Sequence, residues 1–249
     1  MKYLREFLSI TPFSLAVWRA AEAYTLSQAF ENYKPQGPIL DIGCGFGEFM
    51  SVFRQKIDGH MIDVGIDISQ DEINLATNKG VYKKLVCGDA RDLSMLRTQF
   101  NCVTAISVLE HIKNVDKVFA EVCKILRPGG LFIYTVPTTK LDSLLWKGLL
   151  HRVFLHHSLY SPKAWVDKST HIGLEVKMVA NTLTPAQLSY FEYGLTTAMF
   201  TQISRKMINR RLPFSPRIRI EILERFAQAK LKDGIPTETN ILVVAQKPF

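Results

Sequence analysis

The chain has 249 residues and carries 31 lysine and arginine against 23 aspartate and glutamate residues, for a formal net charge of +8. With 47% hydrophobic residues it can bury a large core, which favours one soluble enzyme domain over residues 1–249. Its four cysteines form no C-x-x-C pair and no cluster with histidines, so we expect neither a disulfide framework nor a metal site. A reducing cytoplasm is the simplest setting for them. They are Cys44, Cys87, Cys102 and Cys123.

The N-terminal segment, residues 1–36, is predicted to form a helical cover. It mixes Lys2, Arg5 and Arg19 into its apolar residues and lacks both a signal-peptide core and a cleavage site. We therefore expect it to remain on the protein. No uninterrupted apolar run in the chain reaches the length that a membrane-spanning helix requires.

Between residues 37 and 137, strand patterns alternate with helical stretches. This alternation predicts an α/β fold with a doubly wound, mostly parallel sheet covered by helices on both faces. Ligands of such sheets bind at the carboxyl ends of the strands, so we interpret 37–137 as a cofactor-binding core. Pro128-Gly129-Gly130 is predicted to be a turn between a helix and the fifth strand. The strands are predicted at 38–42, 62–67, 83–87, 101–107 and 131–136.

The rest of the chain adds two strands and two segments of different character. Residues 138–160 carry large apolar groups at mixed helical spacing and are predicted to form a helical lid. Strands at 174–181 and 240–245, with a helix at 161–173, complete a seven-stranded sheet. Residues 184–233 are predicted to be a helical insertion before the last strand.

A glycine-rich loop follows the first predicted strand and leads into a helix. Its three glycines allow positive φ and let backbone N–H groups approach a ligand closely. A dinucleotide fingerprint would have a third glycine at position 48, where this chain has Glu48, which argues against NAD or FAD. The loop reads Asp41-Ile42-Gly43-Cys44-Gly45-Phe46-Gly47.

Acidic residues end the next two strands, with Asp67 after the second and Asp89 after the third. Together with Asp41 they place carboxylates at one edge of the sheet, which suits a cationic, hydroxyl-bearing ligand. With these motifs the chain resembles the class I S-adenosylmethionine-dependent methyltransferases, in their small-molecule branch, over about residues 37–137. The motifs are Ile39 to Gly47, Gly65-Ile66-Asp67, Gly88-Asp89-Ala90, Ser107-Val108-Leu109-Glu110-His111-Ile112 and Leu126-Arg127-Pro128-Gly129-Gly130.

The resemblance implies S-adenosylmethionine as the cofactor and a Rossmann-like methyltransferase fold. It implies that the loop holds the methionine part, Asp67 the ribose hydroxyls and Asp89 the adenine amine. One departure is Asn101, where these enzymes often carry aspartate. The expected cofactor-binding residues are Asp41, Gly43, Cys44, Gly45, Gly47, Asp67, Ile68, Asp89, Ala90 and Ser107.

His111 is the candidate general base, because it follows the fourth strand at the edge where the methyl group should point, and imidazole titrates near neutral pH. The alternative is that Glu110 and His111 only anchor the following helix. His156 and His157, beside Tyr160, are weaker candidates for contact with the acceptor, against packing or solvent exposure. Cys44 is interpreted as a small side chain suited to a crowded turn.

The charge is concentrated in one part of the insertion. Residues 203–232 contain nine basic and two acidic side chains, which accounts for +7 of the formal charge. This segment is either a solvated helix face or a surface for anionic lipid headgroups, which would allow peripheral membrane contact. The oligomeric state cannot be read from the sequence.

We therefore expect methylation of a small-molecule or lipid-linked acceptor, at oxygen rather than nitrogen or carbon. A second hypothesis is a regulatory or scaffold protein that binds S-adenosylmethionine without turning it over. Nucleic acid is the main competing substrate class. The segment Ser107 to His111 does not read as the Asn or Asp, Pro-Pro and aromatic motif of base-methylating enzymes, and no aromatic stacking platform is evident.

Overall fold

The computed structural model describes residues 3–11, 13–54, 62–143, 156–192 and 234–249. Their contacts divide the chain into two compact units. The terminal unit consists of Met1–Tyr24 with Thr182–Thr237, and the sheet unit consists of Thr25–Asn181 with Glu238–Phe249.

A seven-stranded sheet dominates the sheet unit. Its strands are β1 (Ile39–Ile42), β2 (Ile62–Asp67), β3 (Tyr82–Cys87), β4 (Phe100–Ile106), β5 (Leu126–Pro137), β6 (Glu175–Leu183) and β7 (Thr237–Gln246). Their order is β3-β2-β1-β4-β5-β7-β6. Strands β1 to β5 pair in parallel with their neighbours, and β7 runs antiparallel to β5. The predicted seven-stranded, mostly parallel α/β sheet is confirmed.

Helices follow most strands, as expected for a doubly wound sheet. They are α1 (Leu4–Ile10), α2 (Phe13–Tyr33), α3 (Glu48–Arg54), α4 (Gln70–Thr77), α5 (Val115–Ile125) and α6 (Pro162–His171). Short 3-10 helices span Ser94–Leu96, Leu109–His111 and Thr139–Ser143, and residues 185–192 are also helical.

Helix α5 shows why these segments fold as they do. Its buried residues Val115, Val118, Phe119 and Val122 recur at the spacing that places side chains on one helix face. The ring of Phe119 lies 5.5 Å from that of Phe132 on β5, in an edge-to-face arrangement. The apolar face of α5 is thereby packed against the sheet, within a continuous hydrophobic core.

The terminal unit contains α1 and the first part of α2. In α2 the ring of Trp18 packs on Phe191 with centroids 4.8 Å apart, and Arg19 donates a 3.1 Å hydrogen bond to the fully buried Glu22. The helical character predicted for residues 1–36 is confirmed. No helix in the described part of the chain is both long and apolar enough to span a membrane.

The start of β5 differs from the prediction. The turn expected at Pro128-Gly129-Gly130 lies inside a strand that begins at Leu126. Leu126 pairs with Phe100, and an irregularity between Phe100 and Cys102 shifts the register of this pairing. Gly129, at a φ of 75°, donates from its N–H to the Lys247 carbonyl, so this strand end is held by β7's C-terminal flank. Residues 144–155 of the expected lid and 193–233 of the expected insertion lie outside the described residues.

Candidate active site

The glycine-rich loop lies between the end of β1 and the start of α3. The N–H groups of Gly43 and Cys44 both donate to the carbonyl of Ile66 on β2, at 2.8 and 3.0 Å. Gly43 has a φ of 67°, and a Cβ placed on it would lie 2.1 Å from Cγ2 of Val108. Only glycine fits there, because both the backbone conformation and the approach of Val108 exclude a side chain.

Asp67, the last residue of β2, is held by the backbone on both sides. Its Oδ2 accepts from the Gly45 N–H and its Oδ1 from the Ser69 N–H, each at 2.9 Å. A carboxylate has about four acceptor sites, so both oxygens keep lone pairs for further hydrogen bonds. The loop therefore orients Asp67 to accept from a pair of hydroxyl groups.

Asp89 follows β3 and forms a fork with Arg91. The Arg91 side chain donates from Nε to both carboxylate oxygens at 3.0 Å and from Nη2 to Oδ2 at 2.6 Å. The hydrogen bonds from Arg91 lower the pKa of Asp89 below its usual value. The carboxylate stays charged at neutral pH, and its free lone pairs remain available to an amine.

These residues surround a cavity of about 360 Å³ at the carboxyl ends of β1 to β4, which we call the edge cavity. Its size falls in the range of small-molecule sites, roughly 300–1,000 Å³. Ile68 is 70% exposed, so it offers an apolar face to a ligand ring. Six predicted site residues line the edge cavity, namely Gly43, Asp67, Ile68, Asp89, Ala90 and His111.

The other five predicted residues do not line it: Asp41, Cys44, Gly45, Gly47 and Ser107. Gly45 acts on the cavity through its hydrogen bond to Asp67. Burial raises the pKa of the Cys44 thiol, which agrees with a steric rather than a nucleophilic role. Ser107 has a φ of 49°, an uncommon conformation for a residue with a Cβ, and its N–H donates to Thr135.

Asp41 faces the interior, contrary to the expectation that it faces the cleft. The hydroxyls of Tyr82 and Thr104 each donate to its carboxylate at 2.7 Å, and the side chain is 4% exposed. Burial raises the pKa of Asp41 to about 6, although the two hydrogen bonds oppose the shift. Asp41 thus links β1, β3 and β4 behind the loop.

Glu110 and His111 lie in the 3-10 helix Leu109–His111 after β4. Glu110 is buried, whereas the His111 side chain is 41% exposed and lines the edge cavity. His111 Nε2 lies 3.8 Å from Glu110 Oε1. The arrangement lets a negative charge stabilise the imidazolium form of His111.

The histidine pair after the expected lid divides between two environments. His157 lines the edge cavity, and the His156 ring packs on His111 with centroids 5.2 Å apart. Tyr160 packs against Trp165, with Lys168 Nζ 4.1 Å from its ring centroid, and does not line the cavity.

Sequence reasoning missed four residues that line the edge cavity: Arg91, Val108, Ile112 and Lys113. Each directly follows or interrupts a motif at a strand end. Their position after strand ends was therefore the signal that could have identified them.

Comparison with known proteins agrees with this arrangement. Residues 40–134 match the family model described as "Methyltransferase domain". The chain is 28% identical over 141 residues to a cyclopropane-fatty-acyl-phospholipid synthase of Escherichia coli K12, covering 52% of this chain and 36% of the relative. It is 30% identical over 114 residues to a fatty-acid O-methyltransferase of Mycolicibacterium smegmatis, covering 45% and 41%. The chain thus spans less than half of the length of these two relatives.

A solved structure extends the similarity to the whole fold. The plantazolicin methyltransferase BpumL, solved in complex with S-adenosylhomocysteine, superposes with a TM-score of 0.57 and 15% identity. The match covers 94% of this chain and 85% of that one. At this identity the likeness concerns the fold alone.

Proposed function

Because this chain contains a methyltransferase domain of the class I S-adenosylmethionine-dependent family, we propose that it transfers a methyl group to a small-molecule or lipid-linked acceptor, at oxygen. The observation that supports this most strongly is the pair of oriented carboxylates, Asp67 and Asp89, at one cavity over a close-packed glycine loop.

The residues present fit an adenosine group. Asp67 is positioned to accept from the two ribose hydroxyls, since backbone N–H groups fix both of its oxygens. Asp89 is charged and can accept from the exocyclic amine of adenine. The exposed side chain of Ile68 offers an apolar surface to the purine. The methionine part would follow the loop past Gly43.

S-adenosylmethionine supplies an electrophilic methyl group when bound. The contribution of the chain is then to hold the acceptor oxygen in line with the methyl carbon and to exclude water. We assign proton removal from the acceptor hydroxyl to His111, which lines the edge cavity. The carboxylate of Glu110, 3.8 Å away, favours the imidazolium that results.

Two observations support a lipid-like acceptor. The relatives include a fatty-acid O-methyltransferase and a cyclopropane-fatty-acyl-phospholipid synthase, whose names both refer to fatty acyl groups. The sequence adds a strongly basic segment, residues 203–232, which lies outside the described residues and suits an anionic headgroup. The name of the first relative supports O-methylation over other outcomes only in the case of the fatty-acid enzyme.

The test is to incubate the protein with S-adenosylmethionine and a panel of fatty acids, hydroxylated lipids and phenolic quinone precursors, measuring S-adenosylhomocysteine and the methylated product. We expect product from at least one hydroxyl or carboxyl acceptor. Methylation at carbon or nitrogen alone would overturn the proposed site of transfer. Tight cofactor binding without turnover on any acceptor would favour the non-catalytic function.

A further inference from the structure

One carboxylate and two imidazoles meet at the wall of the edge cavity. The ligating atoms of Glu110, His111 and His156 all lie within 4.8 Å of one another. The proposed methyl transfer needs only one of them, His111, as a proton acceptor. We propose that these three side chains bind one divalent transition-metal ion, and that Zn²⁺ is the ion best suited to them.

The ligand set supports this choice. Two histidines and one glutamate are a recurrent protein ligand set of catalytic zinc, which leaves a fourth position open. Imidazole ligands favour zinc, cobalt, nickel and iron over magnesium or calcium, which prefer oxygen ligands. The set contains no thiolate, so it does not favour the soft ion Cu⁺.

The distances require a small closure. Two ligands of a tetrahedral Zn²⁺ ion, each about 2.1 Å from the metal, lie about 3.4 Å apart. His111 Nε2 and Glu110 Oε1 are already 3.8 Å apart. The terminal torsion of histidine is broad, so turning the imidazoles costs little. The 41% exposed side chain of His111 has room to turn.

The backbone holds His156 beside the other two ligands. The N–H groups of His157 and Ser158 both donate to the Glu110 carbonyl, at 2.7 and 2.9 Å. The hydroxyl of Ser158 donates to the carbonyl of Ile112 at 2.7 Å. Three hydrogen bonds therefore tie the segment that carries His156 to the one that carries Glu110 and His111, so little ordering remains for metal binding.

The position of the site has a chemical consequence. Because His111 lines the edge cavity, an ion bound to it lies at the cavity wall, with its open position available to water or an acceptor oxygen. A histidine nitrogen that binds a metal cannot accept a proton, so loading the site and base catalysis through that nitrogen exclude each other. The sequence predicted no metal site because His156 is distant from Glu110 and His111 in the chain.

The experiment is a titration of the metal-free, full-length protein with Co²⁺ near neutral pH, followed by visible absorption and then by displacement with Zn²⁺. Metal ligands must be deprotonated, so we expect binding to weaken below about pH 6. We expect one Co²⁺ per chain and displacement by one Zn²⁺. For His156→Ala and His111→Ala, we expect affinity at least about tenfold lower, the smaller cost of removing even an outer-shell partner.

His157→Ala is the matched control, since it removes the neighbouring imidazole and keeps the backbone hydrogen bond to Glu110. We expect it to bind Co²⁺ as the wild type does. Circular dichroism of each variant confirms that it is folded. No Co²⁺ spectrum in the wild type, or equal affinity in the wild type and His156→Ala, would overturn the site. The titration contains neither S-adenosylmethionine nor acceptor, so its failure is distinct from a failure of the proposed methyl transfer.

Discussion

Replacing Asp41 by asparagine tests the buried network behind the glycine loop. The carboxylate accepts hydrogen bonds from Tyr82 and Thr104, and burial raises its pKa to about 6 from a model value of 3.8. Between these two values the folded state binds a proton that the unfolded state releases. The stability contributed by this proton is present at low pH and is lost as the pH rises through about 6.

The magnitude follows from the shift in pKa. A shift of about two units corresponds to roughly 3 kcal/mol in the free energy of unfolding between the low and high limits of pH. About 1.4 kcal/mol of this is gained when the pH falls from 7.5 to 5. Asparagine can accept from one hydroxyl and donate to the other, so it preserves the packing and removes the titration.

The assay is urea unfolding of the wild type and Asp41→Asn at pH 7.5 and pH 5. We expect the wild type to gain about 1.4 kcal/mol relative to the variant at the lower pH. Asp63→Asn is a control of opposite sign, because hydrogen bonds from Lys83 and the Ile39 N–H outweigh burial and lower the pKa of Asp63. The same pH dependence in the wild type and Asp41→Asn would refute the reasoning.

Three further predictions concern the edge cavity. Asp67→Ala should weaken S-adenosylmethionine binding by about 1–3 kcal/mol through lost charge-assisted hydrogen bonds, and unchanged affinity in calorimetry would remove its assigned role. His111→Ala should lower turnover with near-normal cofactor affinity, and wild-type turnover would exclude it as the base. Gly43→Ala should destabilise the fold, since its Cβ would lie 2.1 Å from Cγ2 of Val108. Val108→Ala in the same chain should restore part of that loss, and no recovery would locate the strain elsewhere.

The sheet was largely predictable, because its strands combine apolar runs with strand-ending glycines and acids. The predicted bounds of β1 to β4 agree with the structure to within one residue. The start of β5 was wrong, since the pairing of Leu126 with Phe100 depends on the neighbouring strand rather than on the local turn signal. Pattern alone gives no information on such a register shift.

The site was predictable in its motifs and not in its side-chain directions. Asp67 and Asp89 lie at the edge cavity as their strand-end positions indicated. Asp41 turns inward because Tyr82 and Thr104, distant in sequence, supply its hydrogen bonds. The contact between the rings of His111 and His156 likewise depends on the fold.

The most direct test of the central claim is isothermal titration of the purified protein with S-adenosylmethionine, S-adenosylhomocysteine and NAD. We expect both S-adenosyl ligands to bind with micromolar dissociation constants and NAD not to bind. Asp67 and Asp89 should then be the residues whose replacement weakens both. Binding of NAD, with no heat from either S-adenosyl ligand, would contradict the assignment of the edge cavity to S-adenosylmethionine.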